Sequence, residues 1–305
     1  MPVYKVDNLK NTFKDFLHRE FSSYLKQNQA PLFSIILVGE NFSSQKYIEM
    51  KLKMASELGI KTDFLHFPQI VNRNELEEAV AKYQKLKAGI IFQLPIRSDL
   101  LDIINDLTPE NDLDLLGLRK YELLNQGFLP PTIGAIDLIL KDIHKGNDIL
   151  NDDSVRDLIN QKLDLSGKIV GVIGQGKLVG NPLLDYLSKR NATILSINAE
   201  TKNAKKLSKE ADILISATGV GGLVDENWLQ ESYIQDNILY PIVLDAGTSE
   251  GELEHNHKTV KALIGDVNNE KVRDICTLVG VPGGVGPITV RYIFWNLLKL
   301  VHIQN

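Results

Sequence analysis

Ile169-Val170-Gly171-Val172-Ile173-Gly174-Gln175-Gly176-Lys177-Leu178-Val179-Gly180-Asn181-Pro182 is the stretch from which the rest of the chain is read. Its apolar run predicts a buried strand, and the glycines that follow predict a turn opening a helix. The spacing is G-x-G-x-x-x-G, one residue longer than the familiar dinucleotide fingerprint. Its physical use is the same: glycines let backbone N–H groups approach a pyrophosphate at a helix N-terminus. The competing reading is a tight turn with close helix packing.

Outward from this turn the pattern alternates. Downstream, apolar runs and helical spacing predict a strand over 169–173, a helix over 179–190, a strand over 192–197 and a helix over 202–209. Strands over 211–216 and 241–245 and a short one at 261–264 follow, the layout of a small dinucleotide-binding fold. Upstream, a helix over 5–29, a strand over 32–39, a helix over 43–58, a strand over 62–66, a helix over 74–85 and a strand over 88–92 form a second alternating set. Alternation of this kind implies largely parallel sheets. The polar, Asn/Asp-rich stretch 141–166 predicts a linker or surface excursion between the two. A final helix, Val290 to Val301, follows a Gly/Pro-rich loop and is expected to return to the first set. The fold class expected is two α/β domains, one of them Rossmann-like.

At 305 residues the chain is about two domains long. With 43% hydrophobic and 24% charged residues it has the composition of a soluble globular protein. A net charge of −5 leaves no basic footprint for nucleic acid or an anionic membrane, so neither is expected as a partner. The single cysteine, Cys276, excludes an intramolecular disulfide and a multi-cysteine zinc site, so no metal is expected. The opening residues lack an apolar signal core and no apolar run approaches bilayer length, which predicts a cytoplasmic location.

Five segments carry residue types suited to chemistry. Tyr47 and Lys51 are four residues apart, on one face of a helix that starts just after a strand and the Gly39 turn. A partly desolvated ammonium beside a phenol can exchange protons near neutral pH; the same spacing also suits a solvated helix face. Gln93 ends the strand Ile90-Ile91-Phe92 ahead of Pro95, where an uncharged amide can accept from a lysine or cap the turn. Asp112 and Asp114, two apart, would face one side of an extended stretch and could accept paired donors from a planar heterocycle, or simply be solvated. The loop Val281-Pro282-Gly283-Gly284-Val285-Gly286-Pro287 is nearly free of side chains and would let a flat ligand touch backbone. At the strand end Ser196 to Thr201, where an adenine ribose would lie, Glu200 favours a free 2′-hydroxyl, hence NAD.

Taken together, SSQKYIEMKLKMASELGI, GIIFQLP, PENDLD, VIGQGKLVGNP, ADILISATG, VLDAG, LIGDV and VPGGVGPIT, in that order, resemble the bifunctional methylenetetrahydrofolate dehydrogenase/methenyltetrahydrofolate cyclohydrolase family across most of the chain. The resemblance implies a folate-binding domain over 1–140 and 288–305 and a Rossmann-like NAD(P)-binding domain over 141–287. It implies a homodimer, tetrahydrofolate as the one-carbon carrier, and NADP or NAD as hydride acceptor. By position it makes Lys51 the catalytic lysine, Tyr47 its partner, Gln93 the glutamine that tunes it, and Asp114 the acid that grips the pterin. Tyr47, Asp114, Val281, Pro282, Gly283 and Gly284 would bind substrate. Gly174, Gln175, Gly176, Val179, Gly180, Asn198, Glu200, Thr218 and Gly219 would bind cofactor.

The chain departs from the family pattern at several places. Gln175-Gly176 stands for the usual Arg-Ser and Asn198-Ala199 for the usual His-Ser, removing groups expected around an NADP 2′-phosphate. Asn111 and Leu115 replace the lysine and glycine of the acidic motif, Pro131 and Ile133 flank Thr132, and Val279-Gly280 precedes VPGGVGP. Three other readings stay open: a cyclohydrolase that has lost dehydrogenase activity, a related pterin or shikimate-type dehydrogenase, and a non-catalytic binding protein on the same fold.

Overall fold

A computed structural model describes residues 4–146, 152–255 and 258–304. Helices and strands alternate from the start: α1 (Val6–Leu25), β1 (Leu32–Val38), α2 (Phe42–Glu57), β2 (Lys61–Phe67), α3 (Arg73–Lys85) and β3 (Gly89–Gln93). The short α4 (Leu101–Asn105) and α5 (Lys120–Asn125) and the longer α6 (Pro131–Lys145) and α7 (Asp152–Asn160) follow. Next come β4 (Ile169–Ile173), α8 (Gly180–Leu187), β5 (Thr193–Ile197), α9 (Ala204–Ser208) and β6 (Ile213–Ser216). The strands β7 (Tyr233–Gln235), β8 (Ile238–Tyr240), β9 (Ile242–Asp245), β10 (Ser249–His255) and β11 (Lys258–Ile264) lead to α10 (Asn269–Val272), β12 (Thr277–Val279) and α11 (Val285–Gln304).

The chain divides into two compact units, one of Lys14–Pro131 with Val290–Asn305, the other of Met1–Phe13 with Thr132–Thr289. The first holds a parallel sheet in the order β2-β1-β3, with Leu32 beside Lys61 and Phe33 beside Gly89. Central β1 is apolar almost throughout and buried, as a strand covered on both faces must be. Helix α3 buries Leu76, Val80 and Tyr83, one stripe at helical spacing, against Ile36, Ile90 and Phe92. Asn72 caps its N-terminus, accepting from Asn74 N–H, and Lys82 and Lys85 lie in its last turn, where they complement the helix dipole. From the far end of the chain, Phe294 of α11 meets Phe33 of β1 edge-on at 5.2 Å.

The second unit holds a five-stranded parallel sheet in the order β12-β9-β6-β4-β5. From β4 the chain moves outward to β5 and then crosses back to β6 on the other side. The carboxyl ends of β4, β5 and β6 therefore flank the topological switch point, where open α/β sheets place ligands.

Three expectations from sequence need correction. The polar stretch 141–166 is not simply a linker: α6 runs on to Lys145 and α7 follows, burying Val155 and Leu158 three residues apart. Periodicity of two apolar residues was enough to dock a helix that its composition disguised; residues 147–151 lie outside those described. The strand at 261–264 does not join the five-stranded sheet: it is the second half of β11, paired antiparallel with β10. The fifth strand is β12, too short to carry a periodic signal. Finally, α11 begins at Val285 and so absorbs part of the Gly/Pro loop. Pro287 is tolerated in its first turn, where a backbone N–H has no helical partner.

Candidate active site

Helix α2 opens after Gly39, whose φ of 81° turns the chain off β1. Asn41 caps it by accepting from Ser44 N–H at 2.9 Å, and the Ser44 hydroxyl donates to Leu94 O at 3.0 Å. These bonds fix α2 against the exit of β3. Ile48, Met54 and Ala55 are buried on α2, and Lys51 is carried inward with them, only 7% exposed. Tyr47 lies one turn earlier on the same helix, half-buried.

The Lys51 ammonium donates to Gln93 Oε1 at 2.9 Å. Gln93 in turn directs its Nε2 to Leu94 O at 3.3 Å, which leaves the amide oxygen for the lysine. A neutral acceptor satisfies the ammonium without adding a counter-charge. Burial pushes Lys51 below its ordinary pKa, an effect that the Asp114 carboxylate partly opposes. Burial also pushes Asp114 up to about 6, with Lys51 pulling it down and Asp112 pushing it further up. Burial thus acts in opposite senses on the two groups, lowering the lysine and raising the acid, while their mutual attraction opposes both shifts.

Asp112 and Asp114 do not share a task, contrary to the expectation that both would face one side. Asp112 is buried and accepts from Leu116 N–H at 3.1 Å and Gly117 N–H at 2.8 Å, folding its own loop. The loop turns at Leu115, whose φ is 55°. Asn111 was legible only as a departure from a motif. It donates to Ala88 O at 2.6 Å, while its backbone carbonyl accepts from Ile90 N–H at 2.7 Å. The segment is sewn to β3 by these bonds, and Asp114 is presented from it.

The remaining expected residues lie in the second unit. Gly174 has φ of 99°, and a Cβ there would come within 2.4 Å of Ala217 O; a Cβ on Gly180 would meet Gly174 O at 2.1 Å. Both must be glycine for the turn to close at the start of α8. Gly176 meets nothing within 4 Å, so no packing demand explains it. Val179 is the residue before α8. Gln175 donates to the Ser196 hydroxyl at 2.7 Å and accepts from Asn198 Nδ2 at 3.1 Å, and Asn198 Oδ1 accepts from Glu200 N–H at 3.0 Å. Thr218 and Gly219 follow β6, with Gly219 at φ of 71°. These residues gather at the carboxyl ends of β4, β5 and β6. The glycine cradle, together with the start of α8, fits a dinucleotide. Val281 to Gly284 form the turn from β12 to α11; Val281 O accepts from Asn269 Nδ2 at 2.8 Å, and a Cβ on Gly284 would meet Gly280 O at 2.5 Å.

Two buried acids received no role in the sequence reading. Asp266 accepts from the Ser216 hydroxyl at 2.8 Å and from Thr218 N–H at 2.6 Å, fixing the loop after β6. Asp245 accepts from Asp266 N–H and Val267 N–H, and burial pushes it up to about 6. An acid closing an apolar strand, as in VLDAG, was the available signal. Among the described residues no group of three or more His, Cys, Asp or Glu could hold a metal ion.

Residues 5–114 match the family described as tetrahydrofolate dehydrogenase/cyclohydrolase, catalytic domain, and residues 152–305 match its NAD(P)-binding domain. The bifunctional protein FolD of Aquifex aeolicus is 32% identical over 304 residues, covering 96% of this chain and 92% of the relative. This chain belongs to the tetrahydrofolate dehydrogenase/cyclohydrolase family. Among solved members, the FolD methylenetetrahydrofolate dehydrogenase/cyclohydrolase of Campylobacter jejuni is 26% identical with a TM-score of 0.79, each chain fully covered. The Trypanosoma brucei FolD, solved with NADP and an inhibitor, is 25% identical with a TM-score of 0.80, covering 100% of this chain and 99% of the other. The fold expected from sequence, two α/β parts with a Rossmann-like half, is the fold of these family members.

Proposed function

We propose that this chain oxidises 5,10-methylenetetrahydrofolate to 5,10-methenyltetrahydrofolate with NAD(P) and hydrolyses that product to 10-formyltetrahydrofolate. The observation that carries the reading is Lys51, buried, donating to an uncharged amide and electrostatically coupled to Asp114. It argues against a binding protein, and the match of residues 152–305 to the family's NAD(P)-binding domain, with bifunctional relatives, favours the bifunctional enzyme over a lone cyclohydrolase or another dehydrogenase.

In the first step a hydride leaves the methylene carbon; this needs positioning more than proton transfer. NAD(P), when bound, supplies the hydride acceptor. Gly174, Gln175, Gly176, Val179 and Gly180 would hold its phosphates, Asn198 and Glu200 its adenine ribose, and Thr218 and Gly219 the part beyond β6. In the second step water attacks the methenyl carbon and the ring opens. Lys51, lowered by burial, takes one proton from the attacking water and returns it to the departing nitrogen, and the remaining O–H proton of the carbinol is released to solvent as the C–N bond breaks and the formyl carbonyl forms. Gln93 keeps the lysine amine oriented, Tyr47 flanks it, and Asp114 grips the pterin through paired hydrogen bonds. Val281 to Gly284, a turn nearly free of side chains, would offer backbone to a flat ligand.

The functional domains follow the division 1–140 with 288–305 and 141–287, and the enzyme works as a cytoplasmic homodimer. Among the described residues no helix is long and apolar enough to cross a membrane.

The absorbance of the methenyl intermediate tests both halves. Wild type forms it with nicotinamide cofactor and then consumes it; Lys51→Met forms it and lets it accumulate. Consumption at the wild-type rate in that variant refutes the assignment of Lys51.

A further inference from the structure

Helix α11 is apolar around most of its circumference, with Ile293, Phe294, Leu297, Leu298 and Leu300 all buried. In their midst stands Asn296, fully buried. Its Nδ2 donates to Leu113 O at 3.2 Å and to Leu129 O at 2.9 Å. Its Oδ1 is buried with no hydrogen-bond partner. Burying an amide with its acceptor unmade is unfavourable, and an aliphatic side chain would suit the helix better. What an aliphatic group cannot do is hold two carbonyls at once.

The Leu113 carbonyl belongs to the peptide that leads directly into Asp114. On its other side, Leu113 N–H donates to Ile90 O of β3 at 3.3 Å. A Cβ on Gly89 would come within 2.7 Å of Leu113 and 2.8 Å of Leu297, so strand, loop and helix meet at van der Waals distance there. The acid is therefore held from two directions, by β3 and by α11. The lysine takes its orientation from Gln93 on the same strand, so acid and base share one frame. Asn111 and Asp112 fix only their own loop and β3; Asn296 reaches the loop from 183 residues away.

We infer that Asn296 is a positioning residue for this reaction, clamping the 113–114 peptide so that Asp114 meets the substrate in register with Lys51. The inference rests on the roles proposed above for Lys51 and Asp114.

The test is a double-mutant cycle of Asn296→Ala and Asp114→Asn in the full-length enzyme, with Asn296→Ser, which keeps one donor, as the second variant. Asn296→Ala is expected to raise KM for methylenetetrahydrofolate about tenfold, leave KM for the nicotinamide cofactor unchanged, and be partly rescued by serine. In the Asp114→Asn background its effect should shrink below about twofold, because the acid it positions is gone. Losses that multiply in the double variant, a parallel rise in cofactor KM, or failure of both Asn296 variants to fold would each overturn the inference by making the amide a general stability element. Lys51→Met run alongside separates the two claims: if it still consumes methenyltetrahydrofolate normally, the underlying assignment is at fault and not the clamp.

Discussion

Lys51 on α2 donates to Gln93 at the end of β3, 42 residues later, and the acceptor is an amide where a carboxylate would have made an ion pair. That choice keeps the lysine's pKa low, because burial acts on it with only Asp114 in opposition. Gln93→Glu restores an adjacent negative charge. The acidic limb of the cyclohydrolase pH–rate profile should move up by about 1 pH unit or more, with the rate at pH 7 falling accordingly. A profile that does not move would show that Gln93 does not set the lysine's basicity.

Asp114 predicts a pH dependence of stability. Its folded pKa, about 6, lies above the ordinary carboxylate value of about 4. The folded state therefore binds this proton more tightly than the unfolded state does. The contribution is fully present below the ordinary value and is lost as pH rises through about 6. Asp114→Asn removes it, so wild type should lose stability relative to the variant between about pH 4 and pH 6. Thermal unfolding of both across that range measures the difference; parallel curves would refute it.

The glycines of the first turn after β4 should respond unequally. Gly174→Ala forces a Cβ to 2.4 Å from Ala217 O at a φ of 99° and should destabilise by about 1–3 kcal/mol while weakening NAD(P) binding more than tenfold. Gly176→Ala meets nothing within 4 Å and should leave the melting temperature unchanged. Calorimetry and cofactor titration distinguish the two, and equal losses would remove the steric argument.

We propose NAD as the preferred acceptor. Gln175 is tied to Ser196 and Asn198 at the end of β5, and Glu200 stands beside them, an arrangement of amides and an acid that suits a free 2′-hydroxyl. Hydride-transfer rates should favour NAD over NADP, and Gln175→Arg should raise kcat/KM for NADP at least tenfold. A strong NADP preference in wild type would sink the proposal.

Local pattern was enough for much of this. The apolar run and glycines from Ile169 to Gly180 determined a strand, a turn and a helix, because those preferences act between neighbours in the chain. Spacing alone put Tyr47 and Lys51 on one helical face. It also disclosed the alternation of helices and strands on which the fold class rests. The polar 152–160 helix escaped notice because its two inward residues are outnumbered, and β12 because three residues hold no period.

Only tertiary structure decided what the side chains do. Asp112 and Asp114 are equivalent on paper, yet one folds its loop while the other is electrostatically coupled to Lys51, since the turn at Leu115 returns the N–H groups of Leu116 and Gly117 to Asp112. Asn296 reads as a stray polar residue in an apolar helix until Leu113 and Leu129 are brought beside it. The pKa values of Lys51 and Asp114 depend on desolvation by residues far away in sequence. Burial and hydrogen bonds across 42 and 183 residues are properties of the packed chain, and no local window contains them.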